Sequence, residues 1–147
     1  MGDVIYSEVH RVDKGSFATA GDASRAMKGT LKRMGVDPVI IRDVAIASYE
    51  LELNLVIHSN GGVMMLDVFT DKLRLTSADT GPGIPDVSLA LQEGYSTATQ
   101  EVRNMGFGAG MGLPNIVRHS HIFDIKSAAG EGTTITSTYH LNPKDGG

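Results

Sequence analysis

Glu50 and Asn54 are a carboxylate and a carboxamide that lie four residues apart in the chain. The apolar residues around them recur at helical spacing, and positions i and i+4 of a helix share one face. An amide oxygen is a hard ligand of the kind that Mg²⁺ prefers, and a carboxylate can accept the proton of an attacking hydroxyl group. The pair predicts phosphoryl-transfer chemistry, although a solvated helix face that includes Glu52 would have the same composition.

The segment Asp79-Thr80-Gly81-Pro82-Gly83-Ile84 follows a predicted strand. A carboxylate at this point can accept a hydrogen bond from an exocyclic amino group, and the glycines allow a flat base to approach the backbone. The same residues are typical of a surface turn, which is the alternative when the segment is taken alone.

Glycine alternates with other residues in a second segment, Gly106-Phe107-Gly108-Ala109-Gly110-Met111-Gly112-Leu113, which then enters a predicted helix. Successive N–H groups in such a loop, together with the start of a helix, form a cradle for anions. No Gly-Lys-Ser/Thr follows, which excludes a P-loop, and Met111 and Leu113 occupy positions where a dinucleotide fingerprint requires glycine. The same two apolar residues argue against a flexible linker.

Periodicity and turn residues predict the elements that position these segments. The first helix should begin with Thr19 or Asp22 as its cap and reach about Met34, where Gly35 ends it. The other predicted helices cover 38–58, 85–91 and 111–119, the predicted strands cover 4–11, 63–70, 74–78, 122–127 and 133–141, and residues 92–110 form a lid or binding loop. This order predicts an α+β two-layer sandwich, with a mixed β-sheet covered on one face by helices.

The composition excludes several classes of protein. The 147 residues predict one domain, 1–147, with its core at about 15–141 and a short polar tail at 142–147. A net charge of −4 with scattered Lys and Arg predicts no nucleic-acid partner and no membrane surface. The lack of cysteine excludes disulfides, thiolate catalysis and cysteine-bound zinc. With no signal peptide or membrane-spanning stretch in the sequence, we expect a cytoplasmic protein.

The ordered set of motifs resembles the ATP-binding domain shared by gyrase, Hsp90, sensor histidine kinases and MutL, known as the GHKL or Bergerat fold. Residues 50–54 resemble its N box, 79–84 its first glycine box and 106–113 its second, while Gly130-Glu131-Gly132-Thr133 resembles a late strand-turn motif. The resemblance covers about residues 15–141. The short length and the runs around both boxes are similar to the anti-sigma factor serine kinases and, especially, to the stressosome switch kinases.

The resemblance implies a role for each matching residue. Glu50 would be the general base and Asn54 the Mg²⁺ ligand, while Asp79 would read the adenine of ATP. The remaining implied nucleotide-binding residues are Gly81, Gly83 and Ile84 around the base, Gly108, Gly110, Met111, Gly112 and Leu113 around the phosphates, and Thr133 in the adenine site. Two departures from the family pattern are Tyr49, in place of a small residue, and Gly108-Ala109, where some anti-sigma kinases carry an arginine.

The resemblance also implies a function. The expected activity is that of an ATP-dependent serine/threonine protein kinase of the anti-sigma or switch type, using ATP and Mg²⁺. Its partner would be a small regulatory protein with a STAS domain, either an anti-sigma antagonist or a stressosome scaffold. A sigma factor, a downstream phosphatase and a second copy of the chain are further implied partners. The alternatives are a nucleotide-gated binding regulator with weak or no catalysis and a detached histidine-kinase catalytic domain.

Overall fold

A computed structural model describes residues 3–80, 112–128 and 130–141. The predicted helix over 85–91 and the predicted lid over 92–110 lie outside these residues. In chain order the described elements are β1 (Val4–Val12), a short 3-10 helix (Phe17–Thr19), α1 (Asp22–Arg33), α2 (Pro38–His58), β2 (Gly62–Phe69), β3 (Lys72–Asp79), α3 (Gly112–Arg118), β4 (Ile122–Ala128) and β5 (Gly132–His140). Within the described ranges no helix is long and apolar enough to cross a membrane.

The strands form one five-stranded sheet in the order β1-β2-β3-β5-β4. All four neighbouring pairs of described strands are antiparallel, so the prediction of a mixed sheet is wrong for this part of the chain. When one helix connects two neighbouring strands, the strands run parallel. Two helices, α1 and α2, connect β1 to β2, and the additional reversal of the chain makes these two strands antiparallel. The other chain-adjacent strands, β2–β3 and β4–β5, form hairpins, which are antiparallel by construction.

The described helices and one face of the sheet enclose an apolar core, which confirms the predicted α+β two-layer arrangement. Alternate residues of the central strands point into it, because side chains of a strand alternate between faces. Completely or almost completely buried members include Met64, Leu66, Leu73, Leu75 and Tyr139 from the sheet and Met27, Leu31, Leu51 and Leu55 from the helices. Each large apolar side chain buried in this way contributes roughly 1.5–3 kcal/mol.

Helix α2 is the longest described element and carries the predicted catalytic pair. It begins as predicted, because the Asp37 side chain caps it by accepting a hydrogen bond from the Val39 N–H at 2.8 Å. Pro38 occupies the first turn, where a missing N–H leaves no hydrogen bond unmade. The helix continues without interruption to His58, so Glu50 and Asn54 lie on one face as the spacing predicted.

Helix α1 begins differently from the prediction. The residue at its N-cap is Gly21, with a φ of 101°, and neither Thr19 nor Asp22 provides a cap. The carboxylate of Glu52 accepts hydrogen bonds from the backbone N–H groups of Gly21 at 2.9 Å, Ala23 at 3.2 Å and Ser24 at 3.0 Å. Glu52 is therefore buried, with 2% of its surface exposed, and the interpretation that it contributes to a solvated face is wrong. A side chain of α2 replaces the local cap and locks α1 against α2.

Candidate functional site

Glu50 lies half-buried on α2, the helix that packs against both α1 and α3. Burial raises the pKa of its carboxyl group, and a hydrogen bond from the Asn115 side chain lowers it in part, with a net increase. A carboxylate whose pKa moves from the usual acidic range towards neutrality holds a proton more strongly, which suits a general base. The direction of this pKa shift is compatible with the role of general base, and that role of Glu50 stays a prediction.

Asn115 is a site residue that the sequence reasoning missed. It lies in the first turns of α3, three residues after Gly112, and contacts a side chain of another helix. The signal in the sequence was a lone amide shortly after the second glycine segment. Nothing local to that segment indicates that the amide faces α2.

Asn54 lies one helical turn after Glu50 and is half-buried on the same helix. Among the residues that the structure describes, its side chain makes no hydrogen bond. Since this half-buried amide has no partner among the described residues, its oxygen is available to a ligand, and a hydrogen bond left unmade in such a position is costly.

Asp79 and Thr133 meet where β3 ends and β5 begins. The Oδ1 atom of Asp79 accepts a hydrogen bond from the Thr133 N–H at 3.0 Å. The Thr133 side chain is buried, and its Oγ1 lies 2.8 Å from the Oγ of Ser127 on β4. The structure therefore brings together two residues, 54 positions apart in the chain, to which the family resemblance gives the adenine site.

Gly62 is a second residue that the sequence reasoning missed, because it lies between the predicted helix over 38–58 and the predicted strand over 63–70. It is the first residue of β2 and pairs with Asp79 on β3. A Cβ atom at this position would lie 2.2 Å from the Ala78 carbonyl oxygen and 2.9 Å from the Asp79 Cα. Only a glycine allows β2 to approach the end of β3 so closely, so Gly62 sets the backbone position of Asp79.

Comparison with known proteins identifies the family. The model of the family described as histidine kinase-, DNA gyrase B-, and HSP90-like ATPase matches residues 42–143, which is well over half of the chain. The chain belongs to this ATPase family. The match includes the part of α2 that carries Glu50 and Asn54, the end of β3 and the turn before Thr133, so the resemblance predicted from the motifs is confirmed.

Within the ATPase family, two kinds of curated protein are similar to the chain. The serine/threonine-protein kinase RsbT of Bacillus subtilis (strain 168) is 30% identical over 112 residues, covering 74% of this chain and 78% of the relative. The anti-sigma F factor of Thermoanaerobacter sp. (strain X514) is 28% identical over 113 residues, covering 72% and 76%. The sequence prediction of an anti-sigma or switch kinase relationship is thereby confirmed.

Two solved structures share the fold at low sequence identity. The mycobacterial sensor histidine kinase MprB aligns with a TM-score of 0.54 and 17% identity, covering 94% of this chain and 99% of that one. A chain of the SiaB-SiaC complex from Pseudomonas aeruginosa aligns with a TM-score of 0.56 and 13% identity, covering 94% and 91%. These neighbours confirm the histidine-kinase-like ATPase fold.

The described residues are compatible with the nucleotide of this ATPase family but not with a metal site built from protein alone. Over 3–80, 112–128 and 130–141, no group of three or more His, Asp or Glu side chains could hold a metal ion. Mg²⁺ in phosphoryl-transfer sites commonly takes one or two protein ligands and completes its shell with phosphate oxygens and waters. Asn54, as a single oxygen donor, fits that mode.

Several predicted nucleotide-binding residues of the ATPase lie outside the described ranges: Gly81, Gly83, Ile84, Gly108, Gly110 and Met111. Gly112 is the first residue of α3, and the Leu113 side chain is buried in the apolar core. Leu113 therefore anchors the helix that follows the second glycine segment. The nucleotide roles assigned to all of these residues stay predictions.

Proposed function

We propose that this protein is an ATP-dependent serine/threonine protein kinase that phosphorylates a small regulatory partner with a STAS domain. The observation that carries the proposal is the pairing on α2 of Glu50, a half-buried carboxyl group with a raised pKa, and Asn54, an amide with no partner among the described residues. Membership of the ATPase family supports ATP as the nucleotide. Similarity to a named serine/threonine-protein kinase supports a protein hydroxyl as the acceptor.

In this function Glu50 acts as the general base. Its carboxylate accepts the proton of a serine or threonine hydroxyl of the partner as the hydroxyl oxygen bonds to the γ-phosphorus of ATP. The bond between that phosphorus and the β,γ-bridging oxygen breaks, and ADP leaves. Because phosphoryl transfer depends mainly on positioning and charge neutralisation, a rigid helix that carries both the base and the metal ligand is sufficient support.

The nucleotide would bind between the helices and the ends of β3 and β5. Asp79 would accept a hydrogen bond from the exocyclic amino group of adenine, in an environment that Thr133 completes. Asn54 would hold Mg²⁺, which neutralises charge on the phosphates during transfer. Gly81, Gly83 and Ile84 would line the base pocket, and the segment 108–113 would surround the phosphates.

The relatives also support the proposed partner. One is named an anti-sigma factor, a name for a protein that acts by binding another protein, and one structural neighbour was solved in a two-protein complex. A kinase of this type would work in the cytoplasm, where ATP and such regulators are found. The STAS domain, a sigma factor or phosphatase as a further partner, and pairing of two copies follow from the family resemblance.

Transfer of radiolabelled phosphate from ATP to candidate STAS-domain proteins tests the proposal. We expect acid-stable labelling of serine or threonine, and Glu50→Gln should reduce the transfer rate about 100-fold or more. Asp124→Asn, at an exposed position of β4 outside the four motifs, is the matched control and should transfer at the wild-type rate. Acid-labile label would instead indicate a histidine-kinase domain, and transfer that is equal in Glu50→Gln would overturn the assignment of the base.

A nucleotide-gated binding regulator is the second candidate. It is favoured by Gly108-Ala109, which stands where some kinases of the resembling group carry a phosphate-side arginine. Partner affinity measured with ADP and with a non-hydrolysable ATP analogue separates the two functions. A large difference in affinity without phosphate transfer would support the regulator over the kinase.

A further inference from the structure

Tyr49 lies directly before Glu50 on α2, and 39% of its surface is exposed. Consecutive residues of an α-helix are separated by about 1.5 Å along the axis and by about 100° around it. The two side chains therefore leave the same turn of α2 on adjoining faces. Among the exposed large apolar side chains of the described residues, Tyr49 is the one on the turn that carries the proposed base.

The ring of Tyr49 lies beside the backbone at the start of α1. A Cβ atom placed on Gly21 would be 3.4 Å from Cε1 of Tyr49, which is an ordinary contact distance. Gly21 is itself fixed to α2, because its N–H group donates to the Glu52 carboxylate at 2.9 Å. Helix α1 thus supports one side of the ring, while the rest of the side chain stays open to solvent.

The surface on the other side of Gly21 is polar. Nη1 of Arg25 would lie 3.0 Å from a Cβ atom on Gly21, and Nη2 of the same guanidinium is paired with the Asp22 carboxylate. Both side chains of this ion pair are exposed, and their opposite charges balance each other. Tyr49 is therefore an apolar contact surface with a polar border. Exposed aromatic side chains in such surroundings commonly dominate the binding energy of protein interfaces.

We propose that Tyr49 is a specificity-determining residue that contacts the protein substrate next to its acceptor hydroxyl group. The inference rests on the proposed kinase function and adds to it the part of the partner that is recognised. A protein whose serine or threonine hydroxyl reaches the Glu50 carboxylate must also cover the adjoining face of α2, because one helical position separates the two side chains. The occupant of this surface is therefore the acceptor segment of the partner.

The chemistry of the ring indicates which residue of the partner it contacts. A charged residue would lose water there without gaining an opposite charge, since Asp22 and Arg25 already pair with each other. An aliphatic or aromatic side chain gains contact area with the ring as both are removed from water. Consecutive Cα atoms are about 3.8 Å apart and an extended segment advances about 3.3 Å per residue, so this apolar residue lies within about three positions of the acceptor hydroxyl.

Affinity for the partner tests the proposal without phosphate transfer. Glu50→Gln, in which the base is removed, is titrated with candidate STAS-domain proteins and ATP-Mg²⁺, alone and combined with changes at Tyr49. We expect Tyr49→Ala to weaken the complex about tenfold or more, and Tyr49→Phe, which keeps the ring, to stay within about twofold of its parent. Val39→Ala, a 59% exposed position in the first turn of the same helix, is the matched control and should leave the affinity unchanged.

Kinetics with the active protein separate recognition of the partner from a structural role. In Tyr49→Ala the KM for the STAS-domain substrate should increase about tenfold, whereas the KM for ATP should stay within about twofold of wild type. Equal partner affinity with and without Tyr49→Ala, or equal losses for partner and ATP, would overturn the inference and leave the kinase proposal in place. If the wild-type protein transfers no phosphate, the kinase proposal fails, and the titrations still show whether Tyr49 contacts the partner. A failure of every candidate to bind would overturn both.

Discussion

The Asp79 carboxylate and the Thr133 backbone N–H lie 3.0 Å apart and join the end of β3 to the beginning of β5. The contact gives Asp79 a structural task in addition to its proposed recognition of adenine. A variant that retains one task and loses the other can separate them.

Asp79→Asn provides this separation, because its amide oxygen can still accept from Thr133. Its NH₂ group would oppose the amino group of adenine, so we expect affinity for ATP-Mg²⁺ to fall about tenfold or more with little change in melting temperature. Asp79→Ala should lose both the affinity and part of the stability. Calorimetric titration with ATP and thermal unfolding measure the two effects, with the exposed Asp124→Asn as control. Undiminished nucleotide binding in both Asp79 variants would contradict the adenine assignment.

Gly62→Ala tests the close approach of β2 to β3. The added methyl group would lie 2.2 Å from the Ala78 carbonyl oxygen, so the backbone at Asp79 must move. We expect a loss of about 1–3 kcal/mol in the free energy of unfolding, together with weaker ATP binding. Gly29→Ala in α1 is the matched control, since its nearest atom at 3.3 Å is the end of the flexible Arg33 side chain. Helix propensity predicts that the control gains up to about 1 kcal/mol. Equal melting temperatures for the two variants would contradict the packing argument.

The raised pKa of Glu50 predicts a stability that depends on pH. Burial favours its protonated form in the folded state, so the folded protein is relatively more stable below the ordinary carboxyl value of 4.5 and loses that advantage as pH increases through the raised value. Glu50→Gln carries no charge and should melt at a higher temperature than the wild-type protein at neutral pH. The difference should vanish in acid. Unfolding curves between pH 4 and pH 8 measure it, and a Glu50→Gln variant less stable than wild type at pH 7 would count against the desolvation of Glu50.

Glu8 on β1 should show the opposite dependence. Burial alone would raise its pKa, but hydrogen bonds from His10, Thr30 and Tyr6 outweigh burial and lower it from 4.5. The contribution of ionised Glu8 is present above 4.5 and is lost as pH falls through the lowered folded value. Glu8→Gln should therefore destabilise the protein by about 1 kcal/mol at neutral pH and have no effect in strong acid. Thr30→Val removes one of the donors, which contacts Oε1 of Glu8 at 2.5 Å, and should reproduce part of the change.

Local patterns were sufficient to predict most elements and the face that carries the catalytic pair. The bounds of α2 were predicted almost to the residue from the cap at Asp37, the proline after it and the spacing of apolar residues. Gly35, with a φ of 74°, ends α1 as predicted. The contacts that the sequence could not supply are long-range. Glu52 caps a helix that begins about 30 positions earlier, and Asn115 reaches Glu50 across two helices. Neither contact leaves a periodic signal, because each depends on how the helices pack.

The local pattern could not predict the relative direction of neighbouring strands either. Apolar and polar residues alternate in the same way in a strand whether its neighbour runs parallel or antiparallel to it. The antiparallel pairing of β1 with β2 depends on how two helices return the chain to the sheet. The role of Gly62 was missed for a related reason, because a glycine needed for the close approach of two strands cannot be told from an ordinary loop glycine by its sequence.

The strand order places the proposed adenine site and the two edges of the sheet on different strands. Asp79 and Thr133 come from β3 and β5, which are interior strands, while β1 and β4 are at the margins of the sheet. Substitutions along β1, which pairs with neither β3 nor β5, can change the surface that another molecule meets while the central pair stays in place.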